Sequence, residues 1–233
     1  MRAKNLNNKI PEELLESILV NQGDNTEFTV IWLHGLGSDG NDFVPIVPEL
    51  NLPESLRVNF IFPNAPIRPV TVNNGYEMRA WYDLLSLDRD KTANEDDILK
   101  SVTWINALID DEIANGTAPE KILLAGFSQG GVIALHAGLR YPKKLAGIMA
   151  LSTYIPFDDN LLSQVTDVQK GQTIFAAHGK SDPVIPFASW QDYVPKLEKA
   201  GFDVESHAYE MEHAVSAQEI VDISSWLQKV LAT

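Results

Sequence analysis

Residues 121–132 read KILLAGFSQGGV, and no other stretch restricts the folding of this chain as strongly. Ile122, Leu123, Leu124 and Ala125 form an apolar run of strand character bounded by turn signals. Gly126-Phe127-Ser128-Gln129-Gly130 follows, a G-x-S-x-G pattern, and a helical stretch over 131–140 comes next, closed by Pro142. A strand running into a sharp turn with serine at its apex, and then into a helix, is the context of a nucleophile elbow. The glycines have a mechanical purpose. An apex residue in a strained conformation brings its neighbours so close to crossing backbone that a Cβ would clash. Gln129 would open the helix, so its N–H has no intrahelical partner and points where the helix dipole favours negative charge. It is a natural donor to a developing oxyanion. The competing reading is a surface turn with an incidental serine, which the flanking strand and helix disfavour.

The chain has 233 residues, 45% of them hydrophobic and 21% charged, enough apolar material for one sizeable α/β domain over 1–233. A net charge of −14 argues against nucleic acid and anionic membrane surfaces as partners. With no cysteine there is no disulfide, no thiolate metal site and no cysteine nucleophile. The start, MRAKNLNNKI, lacks an apolar signal core, and no apolar run reaches the ~18 residues of a membrane span, so stable membrane insertion is not expected. A soluble cytoplasmic protein is expected, with a homodimer admissible.

Residues 11–20 fit either a helical face or a strand near 15–20, the strand being preferred, and other strands are predicted over 28–33, 58–62, 145–151, 173–177 and 204–209. The clearest helix is expected over 94–116, with Ile98, Val102, Ile105, Ile109 and Ile113 on one face and Asn94 as cap. Further helices fit 187–200, despite Pro195, and 216–231. Residues 64–89 are rich in Pro, Asn and Gly and predict a long irregular loop. Short apolar strands alternating with helices imply a mostly parallel sheet covered on both faces.

A serine hydroxyl needs a base to take its proton, and the base needs a third group to orient it. In chain order serine, acid, histidine, each on a loop after a strand, the candidates are Ser128, Asp182 and His213. Asp158, Asp159 and Asp167 are reserve acids; His136, His178 and His207 are weaker bases, placed on a helix, before a tight-turn glycine and within a strand. Residues 35–40 read G-L-G-S-D-G, a literal G-x-G-x-x-G after a strand, which would suit a dinucleotide. Pro45 and Pro48 break the helix that reading needs, and the second strand ends in Pro63-Asn64 rather than an acid. The loop His34-Gly35-Leu36-Gly37 is better read as lending a second oxyanion N–H, from Leu36.

His34-Gly35-Leu36-Gly37, Trp81-Tyr82-Asp83, Gly126-Phe127-Ser128-Gln129-Gly130-Gly131, His178-Gly179 with Asp182-Pro183, and His213 together resemble the carboxylesterase/acyl-protein thioesterase (phospholipase/carboxylesterase) family. The resemblance runs from about Phe28 to the C-terminus, leaving 1–11 as an N-terminal extension. It implies an α/β-hydrolase fold and a serine hydrolase of carboxylic esters or thioesters acting through an acyl-enzyme, on small esters, lysophospholipids or acylated proteins. It implies Ser128 as nucleophile, His213 as base, Asp182 as orienter, and Leu36 and Gln129 as oxyanion donors, with no metal or cofactor. It also implies a mobile flap over 69–78 and an acyl-binding groove touched by Val72, Met78, Trp81 and Tyr154. Phe43 and Tyr154 depart from the family pattern, where tryptophan is frequent, and bear on acyl preference. The alternative is a non-catalytic ligand-binding protein on the same fold.

Overall fold

The computed structural model describes residues 14–21, 26–86 and 93–231. Seven strands form one sheet in the order β1-β3-β2-β6-β7-β8-β9. They are β1 (Ser17–Asn21), β2 (Phe28–Leu33), β3 (Val58–Pro63), β6 (Ile122–Phe127), β7 (Gly147–Leu151), β8 (Thr173–Gly179) and β9 (Asp203–Tyr209). Only the edge strand β1 is antiparallel, pairing Ser17 with Pro63 and Asn21 with Asn59; every other pair is parallel. The extension expected over 1–11 lies outside the described residues.

Alternation along the strands splits the core in two, because successive side chains leave opposite faces of a sheet. In β2, Ile31 and Leu33 face a layer with Ile98, Val102 and Ile105 of α2 (Glu95–Ala114), Val132 and Leu135 of α3 (Gln129–Gly138), and Leu197 of α5 (Phe187–Lys199). Val30 and Trp32 face the other layer, with Ile46 of the single-turn α1 (Ile46–Glu49) and Ile223, Trp226 and Leu227 of α6 (Ala217–Leu231). Helices therefore cover both faces, as the strand composition implied. Asn94 caps α2 as expected, its side chain accepting from the Asp97 N–H.

Two stretches differ from expectation. Part of the supposed irregular loop is a two-stranded ribbon, β4 (Ile67–Val70) against β5 (Tyr76–Arg79), joined by a tight turn with Asn74 and Gly75 at positive φ. Of their eight residues only Val70 is buried, so the sequence carries no apolar alternation to announce them. The turn is tied down: Asp83 accepts from the Thr71 N–H and hydroxyl, and the Val72 N–H donates to the Leu84 carbonyl. A short helix, α4 (Asp158–Ser163), holds two of the reserve acids, Asp158 and Asp159; at six residues it is too brief for a periodic signal.

The start of α6 follows directly on the loop that carries His213. The Ser216 hydroxyl accepts from the Glu219 N–H at 3.2 Å, and the Glu219 carboxylate accepts from the Ser216 N–H at 3.3 Å, a reciprocal capping box. Glu219 is fully buried, and burial raises its pKa from 4.5 to about 8. The folded state thus binds more protons than the unfolded chain between these values, so this group makes stability fall as pH rises through that window. Glu219→Gln, which keeps an acceptor but cannot ionise, is expected to flatten the decline in melting temperature between pH 5 and pH 8. Equal slopes for the two proteins would contradict the buried-carboxyl assignment.

Candidate active site

β6 delivers the chain to Ser128 and α3 leaves from Gln129, with no residue to spare between them. Ser128 takes φ 54° and ψ −119°, a conformation that costs a side-chain-bearing residue on the order of 1–3 kcal/mol. The flanking glycines make the turn possible. A Cβ on Gly126 would fall on the Gly130 carbonyl, and one on Gly130 would fall on the Leu33 carbonyl. The Ser128 N–H donates to the Leu151 carbonyl at 2.9 Å, and its own carbonyl accepts from the Thr153 hydroxyl at 2.7 Å.

The sequence candidates meet at this apex. His213 Nε2 lies 3.0 Å from Ser128 Oγ, and His213 Nδ1 lies 2.7 Å from Asp182 Oδ2. A carboxylate accepts only, so Nδ1 carries the proton and Nε2 presents its lone pair to the hydroxyl. Asp182 is held by its own loop, Oδ1 accepting from the N–H groups of Val184 and Ile185, both at 2.8 Å. The Phe127 ring packs against the His213 imidazole with centroids 4.7 Å apart.

The weaker histidines are committed elsewhere. His178, fully buried, has Nε2 2.9 Å from the Ile185 carbonyl and 3.4 Å from Asp182 Oδ2, and burial lowers its pKa. It is a neutral imidazole propping the loop of Asp182. His136, in α3, bonds the Pro156 carbonyl, and burial with the nearby Arg140 charge depresses its pKa to about 3. His207 faces Glu205 at 3.2 Å and stacks on Phe175, away from Ser128. Among the reserve acids, Asp158 pairs with Lys196 in α5.

Leu36 and Gln129 both border the cavity at Ser128. Gln129 is the first residue of α3, where the N–H has no helical acceptor. The loop of Leu36 is pinned from behind. The Trp81 indole N–H donates to the His34 carbonyl at 2.9 Å, His34 Nε2 accepts from the Ala65 N–H at 3.0 Å, and the Gly37 N–H donates to Arg79. The Gln129 side chain completes the frame, accepting from the Trp81 N–H and donating to the Tyr82 carbonyl. G-x-G-x-x-G therefore serves a turn, with a Cβ on Gly40 landing against the Phe62 carbonyl, and opens no helix suited to a pyrophosphate.

One of the four expected acyl contacts borders the cavity at Ser128. Tyr154 lines the cavity, but Trp81, Val72 and Met78 do not. Trp81 is fully buried and acts as a strut between the His34 loop and Gln129. Val72 lies in the turn of the ribbon and Met78 in its second strand, Val72 holding Leu84 through its N–H. Phe43 is also no wall residue; it packs in the core beneath the elbow, between Trp32 and Phe127. Wall residues missed in the sequence include Tyr82, Leu84, Val184, Ile185, Pro186 and Ser189. Four of these follow Asp182 within seven residues, and their position beside the acid was the available signal.

Hydrogen bonds from carboxylate to imidazole to hydroxyl can take a proton from an alcohol and pass it to a leaving group. Among the described residues no cluster of His, Asp or Glu could hold a metal ion, and no helix is long and apolar enough to cross a membrane. The profile of the phospholipase/carboxylesterase family matches residues 16–231. The chain belongs to this family. It is 38% identical to carboxylesterase SOBER1 of Arabidopsis thaliana over 205 residues, 87% of this chain and 90% of that one. It is 37% identical to acyl-protein thioesterase 1 of Mycosarcoma maydis, covering 94% and 98%. The crystal structure of Arabidopsis thaliana SOBER1 superposes with a TM-score of 0.82 at 37% identity, covering 88% of this chain and 99% of that one. The family's α/β-hydrolase architecture is thus shared across the whole sheet.

If the Ser128 backbone is strained as its torsions indicate, Ser128→Gly should be about 1 kcal/mol more stable than Ser128→Ala, since glycine adopts positive φ without a Cβ clash. Chemical denaturation of the two variants measures the difference, and equal stabilities would contradict a strained apex.

Proposed function

We propose that this chain hydrolyses carboxylic esters or thioesters through an acyl-enzyme formed on Ser128. The observation that carries the proposal is the imidazole of His213, 3.0 Å from the Ser128 hydroxyl and 2.7 Å from the Asp182 carboxylate, at the apex of the elbow. Membership of the phospholipase/carboxylesterase family supports the same reaction.

In the proposed cycle His213 Nε2 removes the hydroxyl proton as Ser128 Oγ bonds the acyl carbon. The carbonyl oxygen becomes an anion, which the N–H groups of Leu36 and Gln129 stabilise; donors fixed in advance cost no reorganisation at that moment. Collapse breaks the bond to the alkoxide or thiolate, and His213 hands its proton to that leaving group. Water enters, His213 deprotonates it, and a second tetrahedral intermediate releases the acid and restores Ser128. Asp182 stays ionised, keeping the imidazole in its tautomer and supporting its positive charge. Every step uses groups of this chain alone. The proposal includes a cytoplasmic setting and a small ester, a lysophospholipid or an acylated protein as substrate, the net charge of −14 arguing against nucleic acid.

Ser128→Ala and His213→Ala are each expected to lower kcat by roughly 10⁴ to 10⁶, because the three residues act as a unit. His207→Ala should stay within a few-fold of the parent. Steady-state rates on a p-nitrophenyl ester decide the matter: an active His213 variant beside a dead His207 variant would overturn the base assignment, and full activity without Ser128 would overturn the mechanism.

A further inference from the structure

The cavity at Ser128 does not end in solid protein. It holds about 140 Å³ and its surface is mainly carbon, contributed by residues such as Leu36, Leu84 and Ile185. A second cavity of about 390 Å³ adjoins it, bordered by Ala93, Ile155, Phe157, Asp158, Asp192 and Lys196. Tyr154 and Ser189 line both. Of the two, Tyr154 has the bulk to separate them.

Tyr154 is also held in place. Its hydroxyl lies 2.9 Å from that of Tyr82, which is fully buried and whose pKa burial raises well above the ordinary phenol value. Burial favours the protonated Tyr82 phenol, which keeps a hydroxyl available for that bond. Tyr82 is itself fixed through its carbonyl, which accepts from the Gln129 side chain beside Ser128. The partition is therefore braced from the elbow.

We propose that Tyr154, braced by Tyr82, sets the acyl length that this enzyme accepts, limiting it to short chains. The inference rests on the hydrolase reading above. An apolar cavity of about 150 Å³ accommodates a benzene ring, so the space beside Ser128 suits an acyl group of roughly four to six carbons. Beyond the partition an alkyl tail would meet Lys196, bonded to Asp158 at 2.6 Å and to Asp192 at 3.0 Å. Those charges need water or each other, and a tail that displaced water there would recover little. Removing the ring would join the two cavities and let a longer tail run along Ala93, Ile155 and Phe157.

The test is kcat/KM for p-nitrophenyl acetate through decanoate, on the parent protein and on Tyr154→Ala, Tyr154→Leu and Tyr82→Phe. The parent should improve up to about hexanoate and then level off or fall. Each methylene newly buried is worth about fourfold, so Tyr154→Ala should raise the octanoate-to-butyrate ratio roughly tenfold or more. Tyr154→Leu should shift it less in the same direction. Tyr82→Phe, which keeps the ring but releases the brace, should shift it least. Folded Tyr154 variants with the parent's chain-length profile would overturn the partition, as would a parent that prefers decanoate. Failure of the parent to cleave any of these esters would overturn the hydrolase reading itself.

Discussion

The close approach of three backbone segments at Gly126, Gly130 and Leu33 is the constraint on which the rest of the molecule depends. Strand β6 must turn into α3 within one residue, and the turn has no room for a Cβ on either flanking glycine. That crowding forces Ser128 to φ 54°, lifts its hydroxyl clear of the sheet, and aims the first amide of α3 at the same space. The strain at one residue is small beside the core around it, where β6 is buried on both faces and packs between β2 and β7. A strained apex persists where surrounding structure over-determines it, and the centre of a seven-stranded sheet does so.

Loops at the carboxyl ends of neighbouring strands then need only modest precision to complete the site. Asp182 follows β8, His213 follows β9 and Leu36 follows β2, so each arrives at the same edge of the sheet as Ser128. Two of them are also fixed from behind by polar contacts inside the protein. Val184 and Ile185 amides hold the Asp182 carboxylate, and the Trp81 indole holds the loop of Leu36. The buried histidines His34 and His178 take part as neutral hydrogen-bonding struts, their pKa values lowered chiefly by burial. Charge at the site is thus concentrated on Asp182 and on whatever forms during reaction.

The parts legible in the sequence were those tied to strong local rules. Glycines around Ser128 announced a tight crossing, apolar runs announced buried parallel strands, and the order Ser128, Asp182, His213 matched the order in which strands bring their loops to one edge. What failed was governed by tertiary contact. The β4–β5 ribbon buries too little for alternation, and its anchor to Asp83 is invisible without coordinates. Trp81 was an acyl contact by family resemblance, and in the fold its hydrogen bonds to His34 and Gln129 make it a strut. The cavity walls at Val184, Ile185 and Pro186 lay beside a recognised acid, but only the fold turns them toward Ser128. Tyr154 was read as bearing on acyl preference, but its position between two cavities exists only in the fold.

The central claim is that Ser128 carries the acyl group between two half-reactions. Acid quenching during turnover of a slowly deacylating ester, followed by digestion and mass spectrometry, tests it most directly. The account predicts the mass of one acyl group on the peptide containing Ser128, lost on waiting for turnover to finish and never formed in Ser128→Ala. An acyl group on another peptide, or steady hydrolysis with no adduct when burst kinetics require one, would contradict it.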